Sequence, residues 1–224
     1  MPSLAEALAH VRHQIAVAAQ GRSDIQLIAV SKTQPLEALL AASQAGQHLF
    51  GENRVQEAQQ KKPFLPPQDQ FHLIGPLQIN KARHCPGLFT CIHSLHRVDL
   101  ALELERRCAA AGVVMEVLIQ LNLTQEDSKS GLGDLDELKS LADLTLTLPH
   151  LRLTGLMTMG DPALDPDQNR RHFARLREIL LQEQSRQGRP EFRELSMGMS
   201  GDFLAAIAEG ATMVRVGTAI FGHR

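Results

Sequence analysis

The feature that most constrains this chain is a nearly regular alternation between short apolar runs and segments of helical periodicity. The apolar runs are rich in β-branched residues and end at turn residues, which is typical of buried strands. Eight such runs span residues 25–31, 48–51, 71–75, 88–93, 113–121, 153–159, 194–197 and 213–216. Helical periodicity predicts helices over 35–45, 54–61, 98–111, 135–146, 169–187 and 203–209, with a weaker candidate at 79–84.

This alternation predicts parallel strands joined by crossover helices, and eight repeats of the unit are the number that closes a barrel. We therefore predict an α/β fold, a (β/α)₈ TIM-type barrel that forms a single domain over residues 1–224. Apolar residues at helical spacing in the first 20 positions predict an extra N-terminal helix that caps the bottom of the barrel. A doubly wound open sheet is the main alternative, but no glycine-rich dinucleotide fingerprint follows the first strand.

Charge and cysteine content limit the possible partners and the compartment. The formal net charge is −2 with both signs interleaved, so no global field draws the protein to nucleic acid or to an anionic membrane. Three cysteines are too few, and odd in number, for a disulfide framework, which favours the reducing cytoplasm. No apolar stretch approaches the roughly 20 residues of a membrane span.

Lys32 is the first candidate functional residue because it ends the first predicted strand. Functional groups of such barrels lie at the C-terminal ends of the strands, where a primary amine can form an imine with a carbonyl compound. The alternative is a surface lysine that opens an ordinary loop between a strand and a helix.

Two glycine-rich loops follow the last two predicted strands, at 195–202 and 216–222. Barrels of this type often bind phosphate there, where backbone N–H groups and a helix N-terminus meet the anion. Hydroxyl donors are available at Ser196, Ser200 and Thr218, and Gly198, Gly201 and Gly217 permit close backbone approach. A pair of tight turns is the alternative, but two such loops at this pair of strands favour a phosphate site.

Barrel closure makes the first and last strands neighbours, which predicts that Lys32 and Arg215 stand side by side above the phosphate loops. An amine, an anion site and a guanidinium in one place suit a phosphorylated aldehyde, and pyridoxal 5′-phosphate (PLP) is the common cofactor of that kind. Arg215 could instead be a structural cation inside the barrel.

A family resemblance rests on several motifs spread over nearly the whole chain. The motifs are AVSKT at 29–33, FGEN at 50–53 with Gln56 and Glu57, HLIGPLQ at 72–78 with Asn80 and Lys81, KSG at 129–131, GLM at 155–157, and the blocks 195–202 and 215–222. Together they strongly resemble the PLP homeostasis proteins, the YggS/PROSC family, which is related to the barrel domain of alanine racemases.

The resemblance implies a monomeric barrel that carries PLP as an internal aldimine on Lys32 and maintains vitamin B6 and amino-acid pools. It also implies a phosphate cradle, a pyridine nitrogen that faces Arg215, and two residues that line the ring. The cradle residues are Ser196, Gly198, Ser200, Gly217 and Thr218, and the ring residues are Asn53 and Met157. One departure is the segment 95–97, where the family usually has an aspartate and this chain has His96.

Composition separates a PLP carrier from a PLP enzyme that acts on amino acids, which is the alternative function. The chain contains no tyrosine, whereas the related racemases use a tyrosine as the second proton carrier opposite the lysine. An arginine at the pyridine nitrogen donates a hydrogen bond and makes the cofactor a poorer electron sink. Without a second domain the mouth is expected to stay open to water. We therefore expect no catalytic residue and a protein that carries or regulates PLP, with apo PLP-enzymes as candidate partners.

Three weaker patterns complete the candidate sites. Cys85, Cys91 and His93 lack the closing pair of a metal site, so we predict no metal. Arginines at 170, 171, 175 and 177 share a helix with Glu178 and Glu183, which favours a solvated face over an RNA contact. His72 is either an acid/base group at the mouth or a hydrogen-bonded core histidine.

Overall fold

The fold is a closed barrel of eight parallel strands. A computed structural model describes residues 3–124, 130–161 and 163–222. The strands are β1 (Gln26–Val30), β2 (Leu49–Glu52), β3 (Gln70–Leu73), β4 (Cys91–Leu95), β5 (Met115–Gln120), β6 (Leu151–Met157), β7 (Glu194–Ser196) and β8 (Met213–Val216). They pair in chain order and β8 pairs with β1, which confirms the predicted (β/α)₈ barrel.

Helices surround the barrel on the outside. They are α1 (Leu4–Ala19), α2 (Leu36–Gln44), α3 (Val55–Lys61), α4 (Val98–Ala111), α5 (Leu135–Leu146), α6 (Pro166–Gln187), α7 (Phe203–Ala208) and α8 (Thr218–Phe221). Among the described residues no helix is both long enough and apolar enough to cross a membrane.

The extra helix α1 lies in the outer ring and not across the bottom as the sequence suggested. It packs against α2, α7 and α8. The reason is the length of α8, which has only 4 residues and leaves the flank beside β8 uncovered. The apolar face of α1, with Leu8, Val11 and Ile15 buried, covers that flank.

Segment boundaries differ from the sequence-based prediction where local hydrogen bonds prevail over apolar pattern. The run predicted to begin a strand at Leu88 is a turn, because the N–H groups of Leu88 and Phe89 both donate to the Cys85 carbonyl, and β4 begins at Cys91. Helix α6 starts earlier than predicted because Asp165 and Gln168 form a capping box ahead of it. The weak candidate at Ile79–His84 is a 3₁₀ helix.

Two hydrophobic layers hold the barrel together. The larger lies between the strands and the helices, and the smaller fills the barrel interior with Ile28, Cys91, Leu118, Met157 and Met213. The interior also contains buried polar side chains from the same strands, so its core is only partly apolar. These polar groups lead from the interior to the mouth of the barrel.

Close packing of β6 against β7 generates a stability prediction at Gly155. A Cβ atom there would lie 1.9 Å from the Glu194 carbonyl oxygen, so Gly155→Ala must push the paired strands apart. We expect the free energy of unfolding to fall by about 1–3 kcal/mol, as for other overpacked sites. Urea unfolding followed by circular dichroism measures it.

The matched control is Gly133→Ala, because nothing lies within 4 Å of a Cβ at that position. This change should leave stability unchanged or raise it by up to about 1 kcal/mol, since it only restricts the unfolded chain. Equal stability of the two variants would contradict the strand packing described for Gly155.

Candidate functional site

A pocket of about 410 Å³ opens at the carboxyl ends of the strands. Its wall contains seven of the residues predicted from the sequence, namely Lys32, Asn53, Ser200, Gly201, Arg215, Gly217 and Thr218. The volume lies within the range of about 300–1,000 Å³ that is usual for small-molecule sites. The predicted amine, guanidinium and hydroxyl loops therefore share one pocket.

Lys32 follows β1 in a loop whose backbone is held in an unusual conformation. The next residue, Thr33, has a φ of 60°, which is uncommon for a β-branched residue. Its N–H donates to Glu57 Oε2 at 2.7 Å, and its hydroxyl donates to the Lys32 carbonyl at 2.7 Å. Helix α3 thus fastens the loop through Glu57 and fixes where the backbone of Lys32 turns away from the barrel.

A buried ion pair supports the same loop from below. Lys61 Nζ donates to the Ser31 carbonyl at 2.9 Å and to Glu52 Oε1 at 2.8 Å, and the Ser31 hydroxyl donates to the same oxygen at 2.7 Å. Glu52 is fully buried, and burial raises its pKa above the ordinary value despite these donors. The network connects β1, β2 and α3 directly beneath Lys32.

Arg215 reaches the pocket from β8 and is held by two fixed acceptors. Its Nη1 donates to Ser196 Oγ at 2.5 Å and its Nη2 donates to the Thr158 carbonyl at 2.9 Å. Only 3% of the residue is exposed, and this burial lowers the pKa of the guanidinium to about 10, while Asp202 raises it. A group that titrates there remains a cation at neutral pH.

The loops after β7 and β8 are joined to each other at the pocket. Ser200 Oγ accepts from the N–H of Gly217 at 3.2 Å and from that of Ala219 at 3.5 Å. Gly198 has a φ of +90° and lies so close to α7 that an added Cβ would be 2.6 Å from Ala206 Cβ. A Cβ on Gly217 would lie 3.3 Å from Val30 Cβ, which is tight but less crowded, so glycine is required at Gly198 more strictly than at Gly217.

Three predicted binding residues lie away from the pocket wall. Met157 and Ser196 are fully buried in the barrel interior, one layer below the pocket, and Gly198 supports its loop from behind. Met159, two residues after Met157 on the same side of the chain, lines the pocket instead. Gln120 also lines it; its place at the end of β5 could have identified it from the sequence.

His72 and His93 lie in the barrel interior, which agrees with the core alternative for His72. Their rings are linked by a 2.9 Å contact between His72 Nδ1 and His93 Nε2. His93 Nδ1 is 2.8 Å from Ser196 Oγ. Burial lowers the pKa of His72 to about 4 and that of His93 well below its ordinary value, so both rings are neutral at pH 7.

Cys91 lies beside the two histidines, with potential ligand atoms of the three residues within 4.8 Å of one another. Burial raises the pKa of this thiol well above its ordinary value, which opposes formation of the thiolate that a metal needs. Cys85, which the sequence suggested as a neighbour, is outside this group. The absence of metal stays a prediction.

The remaining sequence candidates occupy the surface or the edge of the pocket. Arg170 and Arg177 of α6 form ion pairs with Glu209 at 2.6 and 2.9 Å, consistent with a solvated helix face. His96 is hydrogen-bonded through Nδ1 to the Ser94 carbonyl at 2.8 Å and lines a groove next to the pocket. Lys129 lies outside the described residues.

Comparison with known proteins gives consistent matches over the whole chain. The family model for the alanine racemase N-terminal domain matches residues 7–224. The "Pyridoxal phosphate homeostasis protein" of Vibrio cholerae is 43% identical, over 100% of this chain and 98% of that protein. The structure of PipY from Synechococcus elongatus with PLP bound is 37% identical, covers 98% of this chain and 100% of that one, and has a TM-score of 0.89.

A more distant structure shares only the fold. An alanine racemase of Clostridium difficile is 14% identical, with a TM-score of 0.74 over 95% of this chain and 55% of that one. At this identity the match supports the barrel architecture but not the chemistry.

The buried histidines generate a prediction about pH. In the unfolded chain His72 titrates near its ordinary value of 6.5, whereas in the fold its pKa is about 4. As pH falls from 7 to 5.5 the unfolded state gains a proton that the folded state does not, so stability falls. We expect His72→Gln to lose about 1 kcal/mol less over that interval than the unchanged protein, measured by urea unfolding at both pH values.

The exposed His13 provides the control, because His13→Gln should retain the full pH-dependent loss. If His72→Gln lost as much stability as the unchanged protein between pH 7 and 5.5, the burial of the neutral ring would be refuted.

Proposed function

The chain belongs to the alanine racemase N-terminal domain family and, within it, to the PLP homeostasis proteins, and from this membership we propose that it binds PLP and carries or regulates it. In this way it would maintain vitamin B6 and amino-acid pools. The observation that carries the proposal is the meeting of Lys32, Arg215 and the hydroxyl loops in one pocket. PipY, a solved relative, has PLP bound.

The chemistry of the pocket fits each part of this cofactor. When bound, PLP supplies an aldehyde that condenses with a primary amine, and we propose Lys32 as that amine. The phosphate would meet the hydroxyls of Ser200 and Thr218 and backbone N–H groups in the loops that contain Ser200 and Gly217. Gly201 also lines the pocket, and a Cβ there would meet nothing within 4 Å, so the wall is open on this side.

The residues beside the ring follow from the same wall. Arg215 would donate to the pyridine nitrogen, because a guanidinium has donors but no acceptor. Asn53 and Met159 would flank the ring, since both line the pocket. Three residues behind the pocket wall would support it. Ser196 would hold Arg215, Gly198 would hold the loop after β7, and Met157 would hold the barrel interior in place.

We propose a carrier role and not turnover of amino acids. The chain contains no tyrosine to supply the second proton carrier that the related racemases use. The Vibrio cholerae relative is described as a homeostasis protein, which supports a role of this kind. Lys32 and Thr218 are both exposed, so the pocket does not isolate its contents from water as an enclosed active site does.

We further propose that the protein is a cytoplasmic, single-domain monomer that passes PLP to apo PLP-enzymes. The amine, the guanidinium and the hydroxyl groups of the pocket described above all come from one chain, which supports a monomer. Sedimentation equilibrium tests the monomer, and a stable dimer at micromolar concentration would contradict it.

A second experiment tests the transfer of PLP. The protein loaded with PLP should reactivate an apo PLP-enzyme even while free PLP is trapped.

Lys32 provides the sharpest test of PLP binding. The protein loaded with PLP should be yellow, and borohydride should fix the pyridoxyl group on the peptide that contains Lys32. Lys32→Ala should lose the visible band, because the substitution removes the amine proposed to bind PLP, and circular dichroism should show that the fold is retained. Absorption spectra and mass spectrometry after reduction measure both results.

Lys81→Ala is the matched control, because Lys81 lines the adjoining groove and not the pocket. It should retain the visible band.

Arg215→Gln should retain the covalent link but shift the spectrum, since the ring nitrogen loses its charged partner. A pyridoxyl group on Lys81 or Lys129, or a yellow Lys32→Ala variant, would refute the assignment.

Assays of amino-acid conversion separate the carrier from the alternative, a racemase-like PLP enzyme. We expect negligible racemase, transaminase and decarboxylase activity across a panel of amino acids, because no tyrosine is available for the second proton transfer. Turnover near the enzyme median of about 10 per second on any amino acid would overturn the carrier proposal.

A further inference from the structure

Four buried side chains form a continuous hydrogen-bonded line through the barrel interior. Arg215 contacts Ser196 at 2.5 Å, Ser196 contacts His93 at 2.8 Å, and His93 contacts His72 at 2.9 Å. The four residues come from β8, β7, β4 and β3, and each is at most 5% exposed. One end of the line lies at the candidate pocket, and the other lines a groove at the N-terminal ends of the strands.

The chemistry of the arginine sets the direction of every hydrogen bond in this line. A guanidinium can only donate, so Ser196 Oγ must accept from Arg215. The remaining contact of that oxygen is with His93 Nδ1, so the Ser196 hydroxyl proton has its acceptor there. His93 then carries its proton on Nε2 and donates to His72 Nδ1. His72 in turn carries its proton on Nε2.

No other assignment satisfies all of these contacts equally well. If His93 Nδ1 carried the proton, Ser196 Oγ would accept from both neighbours and its own buried hydroxyl proton would have no acceptor among these contacts. An unmatched buried hydroxyl costs about 1–3 kcal/mol. Protonation of His93 on both nitrogens would cause the same mismatch and add a second buried cation beside Arg215. The lowered pKa of His93, caused by burial and by the neighbouring His72 and Arg215, agrees with a neutral ring.

We propose that this directed line is a positioning device in which His93 and His72, acting through Ser196, hold the Arg215 guanidinium at the pocket wall and so set the electronic environment of the cofactor ring. This inference rests on the proposed binding of PLP. His93 is a positioning residue because it touches Arg215 only through Ser196. The Thr158 carbonyl holds the other guanidinium nitrogen at 2.9 Å, so Ser196 determines the remaining orientation.

The first test needs no cofactor. Long-range proton–nitrogen correlation spectra of the protein without PLP, labelled with nitrogen-15 on histidine, distinguish the two neutral tautomers. We expect His72 and His93 both to be protonated on Nε2 at pH 7.5, with assignments confirmed by the loss of each signal in His72→Gln and His93→Gln. A proton on Nδ1 of His93 would overturn the proposed direction.

The second test uses the absorption band of bound PLP. His93→Leu removes the acceptor for Ser196 and should shift the band, whereas His93→Gln can accept from Ser196 and donate to His72 and should restore it. Cys91→Ala is the matched control, because Cys91 is a fully buried interior residue of the same strand outside the hydrogen-bonded line. It should leave the band unchanged.

The outcomes separate this proposal from the proposed function. An unshifted band in His93→Leu, or an equal shift in Cys91→Ala, would show that the line does not position Arg215 even though PLP binds. Failure of the unchanged protein to bind PLP would refute the function, while the histidine spectra would still test the line itself. If His93→Leu failed to fold, Ser196→Ala, which removes the same link, should shift the band, and an unshifted band there would overturn the proposal.

Zinc addition tests a competing role for the same residues. His72, Cys91 and His93 could converge on a metal ion only if the bond between the two rings opened. Titration of the protein without PLP with Zn²⁺ should leave the spectra of both rings unchanged. Stoichiometric binding that shifts both histidine signals would identify a metal site and overturn the hydrogen-bonded line.

Discussion

Pairing between the first and last strands is the constraint on which the candidate site depends. In β1 and β8, Ile28 is opposite Arg215 and Ala29 is opposite Val216, so the two strands leave the barrel at the same height. Lys32 and the loop at Gly217 therefore emerge side by side, although they are separated by most of the chain. In an open sheet with the same strands, these segments could lie at opposite edges and no common pocket would form.

Closure also forces polar groups into a space that an ordinary barrel fills with branched apolar side chains. Each buried group then needs a partner, because an unpaired polar atom in a low-dielectric interior costs more than its hydrogen bond would contribute. Arg215 in the interior has two acceptors, and Glu52, buried between β2 and α3, receives donors from Lys61 and Ser31. Four buried side-chain oxygens have no partner among the described residues, and Glu52 Oε2 is one of them. This local cost is offset because the same carboxylate orders the loop that contains Lys32.

Sequence patterns predicted the parts of the site that depend on strand order alone. Lys32 and Arg215 could be placed because alternation identifies the strand ends and closure makes them neighbours. Patterns could not predict the left-handed backbone of Thr33, since a β-branched residue disfavours it and the N–H is held by Glu57, which is distant in sequence. The family resemblance, and not the patterns, implied Met157 at the ring, whereas the layer that reaches the pocket is set by the stagger of the strands and contains Met159.

Sequence analysis could not predict the hydrogen-bonded line from Arg215 to His72, because this line also depends on the stagger of the strands. Its members belong to four strands, and only the stagger of the closed barrel brings residues 72, 93, 196 and 215 into contact. What the sequence does determine is the donor-to-acceptor direction of each hydrogen bond in the line, because an arginine has no acceptor and a serine has one proton. Once the strands are in place, elementary hydrogen-bond chemistry leaves one arrangement in which each of the three contacts has one donor and one acceptor. The interior therefore holds Arg215 in a defined orientation before any ligand arrives, so binding need not order that side chain.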